Sequence, residues 1–236
     1  MNKIKETSVI ILYISISLLL VKSINQYVVK TDYFEVEKIN IKGNNFVKDE
    51  TIYKLIDNKI NHNILELDLK NLKSKINKND YIHSSKIYTL LPSTILIEIN
   101  EIIPLAIFKN NNKKYLLDSN AKSIEADYNA LNYYNVPIIS NINNHSEKIK
   151  ITELLKMILK NDESLYLSIN HIVINNDEIN IHLSSKTKII INTNKTKNEL
   201  AILFEFIDNI SESKKITSYK YIDLTVKDQI IVKEMI

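Results

Sequence analysis

The residue types best suited to proton transfer or metal ligation in this chain are its histidines, His62, His83, His145, His171 and His182. None of them forms an i, i+4 pair on a helix, and no Cys supplements them. His171 and His182 fall in separate predicted strands and could be cross-strand neighbours. Two imidazoles without a third ligand, however, read more simply as solvent-facing strand residues. Asp118, Asp223 and Glu101 could work as paired acid and base if the fold brought them together. Each also has a simpler role as turn former, strand-edge residue or Lys partner. Ser, His and Asp occur throughout, but nothing in their spacing assembles a triad, and no catalytic or metal site is assigned.

Composition narrows the chemistry further. Among 236 residues there is one Gly, Gly43. A phosphate-cradling P-loop, a dinucleotide-binding G-x-G-x-x-G turn and a G-x-S-x-G nucleophile elbow each need at least two, so all three are excluded in their usual form. Every basic residue is Lys or His, since Arg is absent, and the net charge is only +3. Lys lacks the bidentate fork that reads guanine edges or clamps phosphates, and no concentrated basic stripe exists. No nucleic-acid partner, cofactor or small-molecule substrate is therefore expected. Apolar residues make up 44% of the chain, enough for real cores.

The element order begins with an uncharged run, Thr7 to Val21, interrupted by Lys22 and continuing from Ser23 to Val29. A bilayer core needs about 20 helical residues, a length met over 8–29 if Lys22 snorkels to the interface. Lys3 and Lys5 favour a cytoplasmic tail over 1–7. A cleaved signal peptide is the alternative, but Lys-Ser-Ile-Asn-Gln follows the run where small residues would mark cleavage.

Phe34 to Lys42 alternates as a strand and stops at Gly43-Asn44-Asn45. Two short amphipathic helices follow, the first capped by Asp49 with Ile52, Leu55, Ile56 and Ile60 on one face. The second begins at Asp68 and turns Leu69, Leu72 and Ile76 inward. Tyr81 onward and Thr94 onward form two strands around Leu91-Pro92-Ser93-Thr94. In the later strand Ile95, Ile97 and Ile99 alternate with Leu96, Glu98 and Asn100. This β-α-α-β-β unit spans about 34–101 and needs its helices to cover its sheet.

Over 102–236 the pattern is a mostly antiparallel β region with two helices, Lys148 to Leu159 and Thr196 to Ile210. Its strands are Tyr115 to Leu117, Ile169 to Ile174, Glu178 to Leu183, Lys188 to Asn192, Tyr219 to Val226 and Ile230 to Val232. The Asp118 to Ala121 turn would use Asn120 in the left-handed region. Asn141 to Ser146, Ser211 to Lys215 and Lys227-Asp228-Gln229 read as connectors.

This ordered set resembles the bacterial cell-division family FtsQ/DivIB. The similar residues are Phe34 to Asn44, Asn63 to Leu69, Tyr81-Ile82, Leu91 to Ile95, Ile97, Ile99 and Glu101. They continue through Pro104-Leu105-Ala106, Leu116-Leu117-Asp118, Val136-Pro137 and Tyr221-Ile222-Asp223-Leu224. The resemblance implies an α+β chain: an N-terminal transmembrane helix, a POTRA domain over 34–101, and a β domain over 102–236. Three positions depart from the family pattern: Ile102 and Thr225 stand where Arg is usual, and Ala121 where Gly is usual. The resemblance also implies a non-enzymatic scaffold of the inner membrane at the septum, its domains periplasmic. The implied partners are FtsB- and FtsL-like division proteins, with septal wall-synthesis enzymes beyond them. Strand addition at the chain's final strand would then involve Thr225, Val226, Ile230, Ile231 and Val232. Two other classes stay open at this point: a POTRA-containing envelope transport or assembly component, and a secreted enzyme. The first normally carries a barrel of at least about eight strands, for which too little chain remains.

Overall fold

In the computed structural model the described residues are 2–142, 144–210, 214–227 and 229–235; of residues 2–9, 25 and 28–30 only the backbone is described. The connectors expected at 211–213 and at Asp228 lie outside them. The chain divides into two compact units, Met1–Glu101 and Ile102–Ile236.

The first unit opens with α1 (Asn2–Lys30). Its described apolar side chains, from Ile10 to Val21 and at Ile24, stand exposed. Among the described residues no helix is long and apolar enough to cross a membrane. Both ends of the expected 8–29 span fall where side chains lie outside the described residues.

Phe34 to Lys42 does not form one strand. Thr31 accepts the Tyr33 N–H and caps a 3-10 turn over Asp32–Phe34, so β1 covers only Lys38–Lys42. Then come α2 (Asp49–Leu55), α3 (Leu69–Ile76), β2 (Ile82–Leu90) and β3 (Thr94–Glu101), in a sheet of order β1-β3-β2. β1 runs parallel to β3 and β2 antiparallel to it. Ile95, Ile97 and Ile99 of β3 meet Ile52 of α2, Ile56 just past its end, and Leu72 and Ile76 of α3 in one core. Asp68 caps α3 by accepting the Asn71 N–H. Asp49 does not cap α2: it is the helix's first residue, and its carboxylate accepts from the Asn44 amide instead.

Gly43 is indispensable to this unit. It sits at φ +83°, and a Cβ there would lie 2.2 Å from the Ile99 carbonyl oxygen. Immediately downstream, the Glu101 carboxylate accepts the consecutive backbone N–H groups of Asn45, Phe46 and Val47 at 2.7–3.1 Å. A carboxylate among three converging N–H donors is a charge-assisted clamp that holds the β1–α2 loop.

The second unit is one nine-stranded sheet, ordered β12-β11-β10-β9-β8-β7-β4-β5-β6. Its elements are β4 (Pro104–Asn110), β5 (Lys113–Asp118), β6 (Ser123–Glu125), α4 (Tyr128–Tyr133), β7 (Ile138–Ser140), α5 (His145–Asn161) and α6 (Glu163–Ser168). β8 (Ile169–Asn175), β9 (Glu178–Leu183), β10 (Lys188–Asn192), α7 (Thr196–Ile210), β11 (Tyr219–Asp223) and β12 (Ile231–Glu234) complete it. Most neighbouring strands are antiparallel; β4–β7, β7–β8 and β10–β11 are parallel. Four helices occur among the described residues where two are predicted, because α4 and α6 are only six residues each. Tyr166 of α6 is fixed by donating its hydroxyl to the Leu105 carbonyl at 3.0 Å; burial pushes its pKa up to about 12.

Strand register explains how the sheet is covered. One row of paired residues runs Phe108, Ile139, Ile172, Ile181, Ile189, Ile222, Val232. The first six are at most 2% exposed and belong to the core shared with Ile151, Leu154 and Leu155 of α5 and Leu200 and Leu203 of α7. The alternate row runs Ile138, His171, His182, Lys188, Tyr221, Lys233 and is half-buried or exposed throughout. From β7 to β12 helices thus dress one face, as the two-residue period of a strand requires. At β5 and β6 the alternate row continues through Ile107 to Leu116 and Ile124, which are buried on the opposite face.

Candidate protein–protein interface

The residues singled out for partner binding do not all lie on a strand. β11 ends at Asp223, whose carboxylate accepts both the Thr225 N–H at 2.9 Å and its hydroxyl at 2.7 Å. That side-chain turn competes with the ladder and ends it. Leu224 keeps one last contact, donating its N–H to the Ile190 carbonyl, while Val226 starts a bend in which its carbonyl accepts from Gln229. The expected strand Tyr219 to Val226 is therefore three residues shorter. Thr225 and Val226 belong to the connector, and Ile230 packs half-buried against the core of the second unit. Ile231 and Val232 do lie on a strand, β12, at 40% and 38% exposure.

Among the described residues β12 is an edge strand, paired only with β11. The Met235 N–H points inward to the Ser218 carbonyl. Backbone direction alternates along an antiparallel strand, so Lys233 and Ile231 also face β11, while Val232 and Glu234 turn their N–H and C=O groups away from the sheet. Val232 closes the row of buried isoleucines. Its side chain lies on the helix-covered face, beyond the last residue that the helices shield. Lys214 ion-pairs with Glu234 and is held above the usual lysine range by that contact.

The candidate chemistry resolves into structural roles. His171 and His182 are register partners with ring centroids 6.1 Å apart, and the Ser140 hydroxyl lies 2.8 Å from His171 Nε2. Burial, then Lys188 and His171, depress the His182 pKa. No group of three His, Cys, Asp or Glu able to hold a metal exists among the described residues. Asp118 is buried and accepts the N–H groups of Asn120 and Lys122 within its own turn. In that turn the left-handed residue is Ala121, at φ +60°, and not Asn120. A groove of about 710 Å³ beside β1 is lined by Glu37, Tyr53, Lys54 and Asp57, among others. Asp57 is tied to Lys75, which lowers its pKa. Sequence reasoning missed the Glu101 clamp; its signal was a carboxylate ending an alternating strand, far in sequence from the Gly-Asn-Asn loop it holds.

A small β-α-α-β-β module followed by a broad, helix-packed sheet that ends in an uncovered edge strand defines a POTRA-bearing α+β protein. The family model for the FtsQ-type POTRA domain matches residues 34–101, and that described as FtsQ/DivIB, C-terminal related, matches 103–233. The chain belongs to the FtsQ/DivIB family. It is 32% identical over 116 residues to the cell division protein DivIB of Clostridium tetani, covering 49% of this chain and 44% of that one. To the cell division protein FtsQ of Rickettsia prowazekii it is 24% identical over 196 residues, 83% of this chain and 70% of the relative. The FtsQ of Syntrophotalea carbinolica is 35% identical over 91 residues, 39% and 32% of the two chains. The chain thus spans less than half the length of the first curated relatives it matches. The major extracytoplasmic domain of DivIB from Geobacillus stearothermophilus covers 49% of this chain and 99% of its own at a TM-score of 0.35 and 9% identity, too distant to bear on the fold.

Proposed function

We propose that this protein is a non-enzymatic scaffold of the bacterial division machinery, held in the inner membrane by α1. Its POTRA and β domains, 34–101 and 102–236, then lie outside the cytoplasm at the septum. The observation that carries the reading is β12: an edge strand with free outward backbone groups, ending a row of otherwise buried isoleucines. An FtsB- or FtsL-like partner adds a strand there. Main-chain hydrogen bonds give affinity, and an apolar side chain beside Val232 extends the core row. Val232, Ile231 and the outward N–H of Glu234 form the contact; Thr225, Val226 and Ile230 position it from the connector. Septal wall-synthesis enzymes are recruited through that partner. Exposed apolar residues along α1 support the anchor, because a helix so coated has no reason to stay in water.

The test replaces the chromosomal copy with Val232→Pro, which removes one outward donor and leaves the bonds to β11 in place. The expected result is filamentous cells in which full-length protein accumulates normally but no longer co-purifies with the FtsB-like partner. Normal septation with unchanged co-purification would exclude strand addition at this edge.

A further inference from the structure

At one end of the first unit a set of large apolar side chains stands in water without cover. Leu91 at the tip of the β2–β3 hairpin is 60% exposed and Tyr33 is 66% exposed, with Leu90 and Leu65 also exposed. They come from three separate segments that the backbone ties together. Glu35 bridges to Asn63, the Val36 N–H donates to the His62 carbonyl, and the Glu37 and Lys38 N–H groups both donate to Ser93 at the hairpin tip.

The parallel pairing of β1 with β3 fixes which end this is. Lys38 is opposite Thr94, so the chain enters β1 at the same end where the hairpin turns over. α1 runs directly into that end: Thr31 donates its N–H to Tyr27 at the close of the helix and its side chain caps the next turn. Seven residues, eight Cα steps, separate Lys30 from Lys38. Even fully extended they would reach only about 28 Å, and the intervening 3-10 turn shortens them.

We infer that this end of the POTRA domain rests on the bilayer, with Leu90, Leu91 and Tyr33 seated in the lipid interface. The inference rests on the membrane anchoring of α1 proposed above. With α1 in the bilayer, the tether holds the hairpin tip at the membrane surface, where an aromatic ring and aliphatic tips are favoured at headgroup depth. Asp32, Glu35, Glu37 and Glu66 belong to the same segments, so carboxylates keep the contact shallow. The domain is thereby oriented rather than swinging freely on its helix.

Because the chain has no Cys, single cysteines give unique labels. Leu91→Cys, Leu90→Cys, Lys86→Cys and Ile14→Cys forms of the full chain carry an NBD fluorophore in phosphatidylcholine–phosphatidylglycerol vesicles. Nitroxide lipids quench either at headgroup depth or deep in the acyl chains. The expected result is headgroup-level quenching several-fold stronger at Leu91 and Leu90 than at Lys86, with Ile14 quenched by the deep nitroxide. Quenching at Ile14 with Leu90 and Leu91 no different from Lys86 would overturn the interfacial contact and leave the anchor standing. No quenching at Ile14 would overturn both.

Discussion

The two edges of the nine-stranded sheet are treated in opposite ways. β6 is three residues long, its Ile124 is 1% exposed, and Lys113 of β5 reaches over to its Glu125 at 2.8 Å. β12 at the far edge is exposed along its whole length, with Ile231 and Val232 uncovered. Short, charged and covered edges are the usual protection against unwanted strand pairing. One protected edge and one open edge in the same sheet indicate that the opening is retained, because the means of closing it are in use at the opposite edge.

Substitutions along the core row sharpen that contrast most. Ile222→Ala, one strand in from the edge, empties fully buried space and should lower stability by about 2–4 kcal/mol in urea unfolding. Val232→Ala, in the same row, should change stability by less than about 1 kcal/mol while weakening partner binding. Equal losses at both positions would mean that β12 is as covered as β11. Next in size is the direction of the backbone. Ile231→Pro removes a bond to β11 and should expose the C-terminal segment to proteolysis, whereas Val232→Pro should leave its protection unchanged. At the closed edge, Ala121→Gly in the β5–β6 turn relieves a left-handed Ala and should stabilise the protein by about 1 kcal/mol.

The smallest expected effect concerns the uncovered face between the edges. His182 has its pKa depressed from the ordinary 6.5, so the folded state favours the neutral ring. The unfolded chain takes up a proton first as pH falls below that value. Stability should therefore fall from about pH 7 toward pH 5, and His182→Gln should flatten that slope. A slope unchanged by the substitution would place the acid sensitivity elsewhere.

Where periodicity was strong, the elements were legible. Ile95, Ile97 and Ile99 announce β3, and Leu72 and Ile76 announce the buried face of α3, because burial on one side forces the spacing. β4 escaped notice since it begins on Pro104 and turns through Asn111 and Asn112 at positive φ, with no glycine to mark the hairpin. α4 and α6 are too short to show a stripe. Tyr219 to Val226 reads as one strand by its alternation, but the Asp223 side chain captures Thr225 and stops the strand after Asp223. The edge position of β12 has no signature in residue types alone. It depends on strand order, which single-chain patterning leaves open and the likeness to the FtsQ/DivIB family supplied.

Gly43 stands alone, and the described turns manage the left-handed region with other residues: Asn58, Asn61, Asn111, Asn112, Asn141 and Asn176 all take positive φ. An asparagine samples fewer backbone states than a glycine once the chain is denatured, so each such corner forfeits less disorder on folding. A polypeptide rich in short connections thereby gains stiffness at its bends without enlarging its cores. The same economy leaves Gly43 as the lone bend where no side chain of any kind fits.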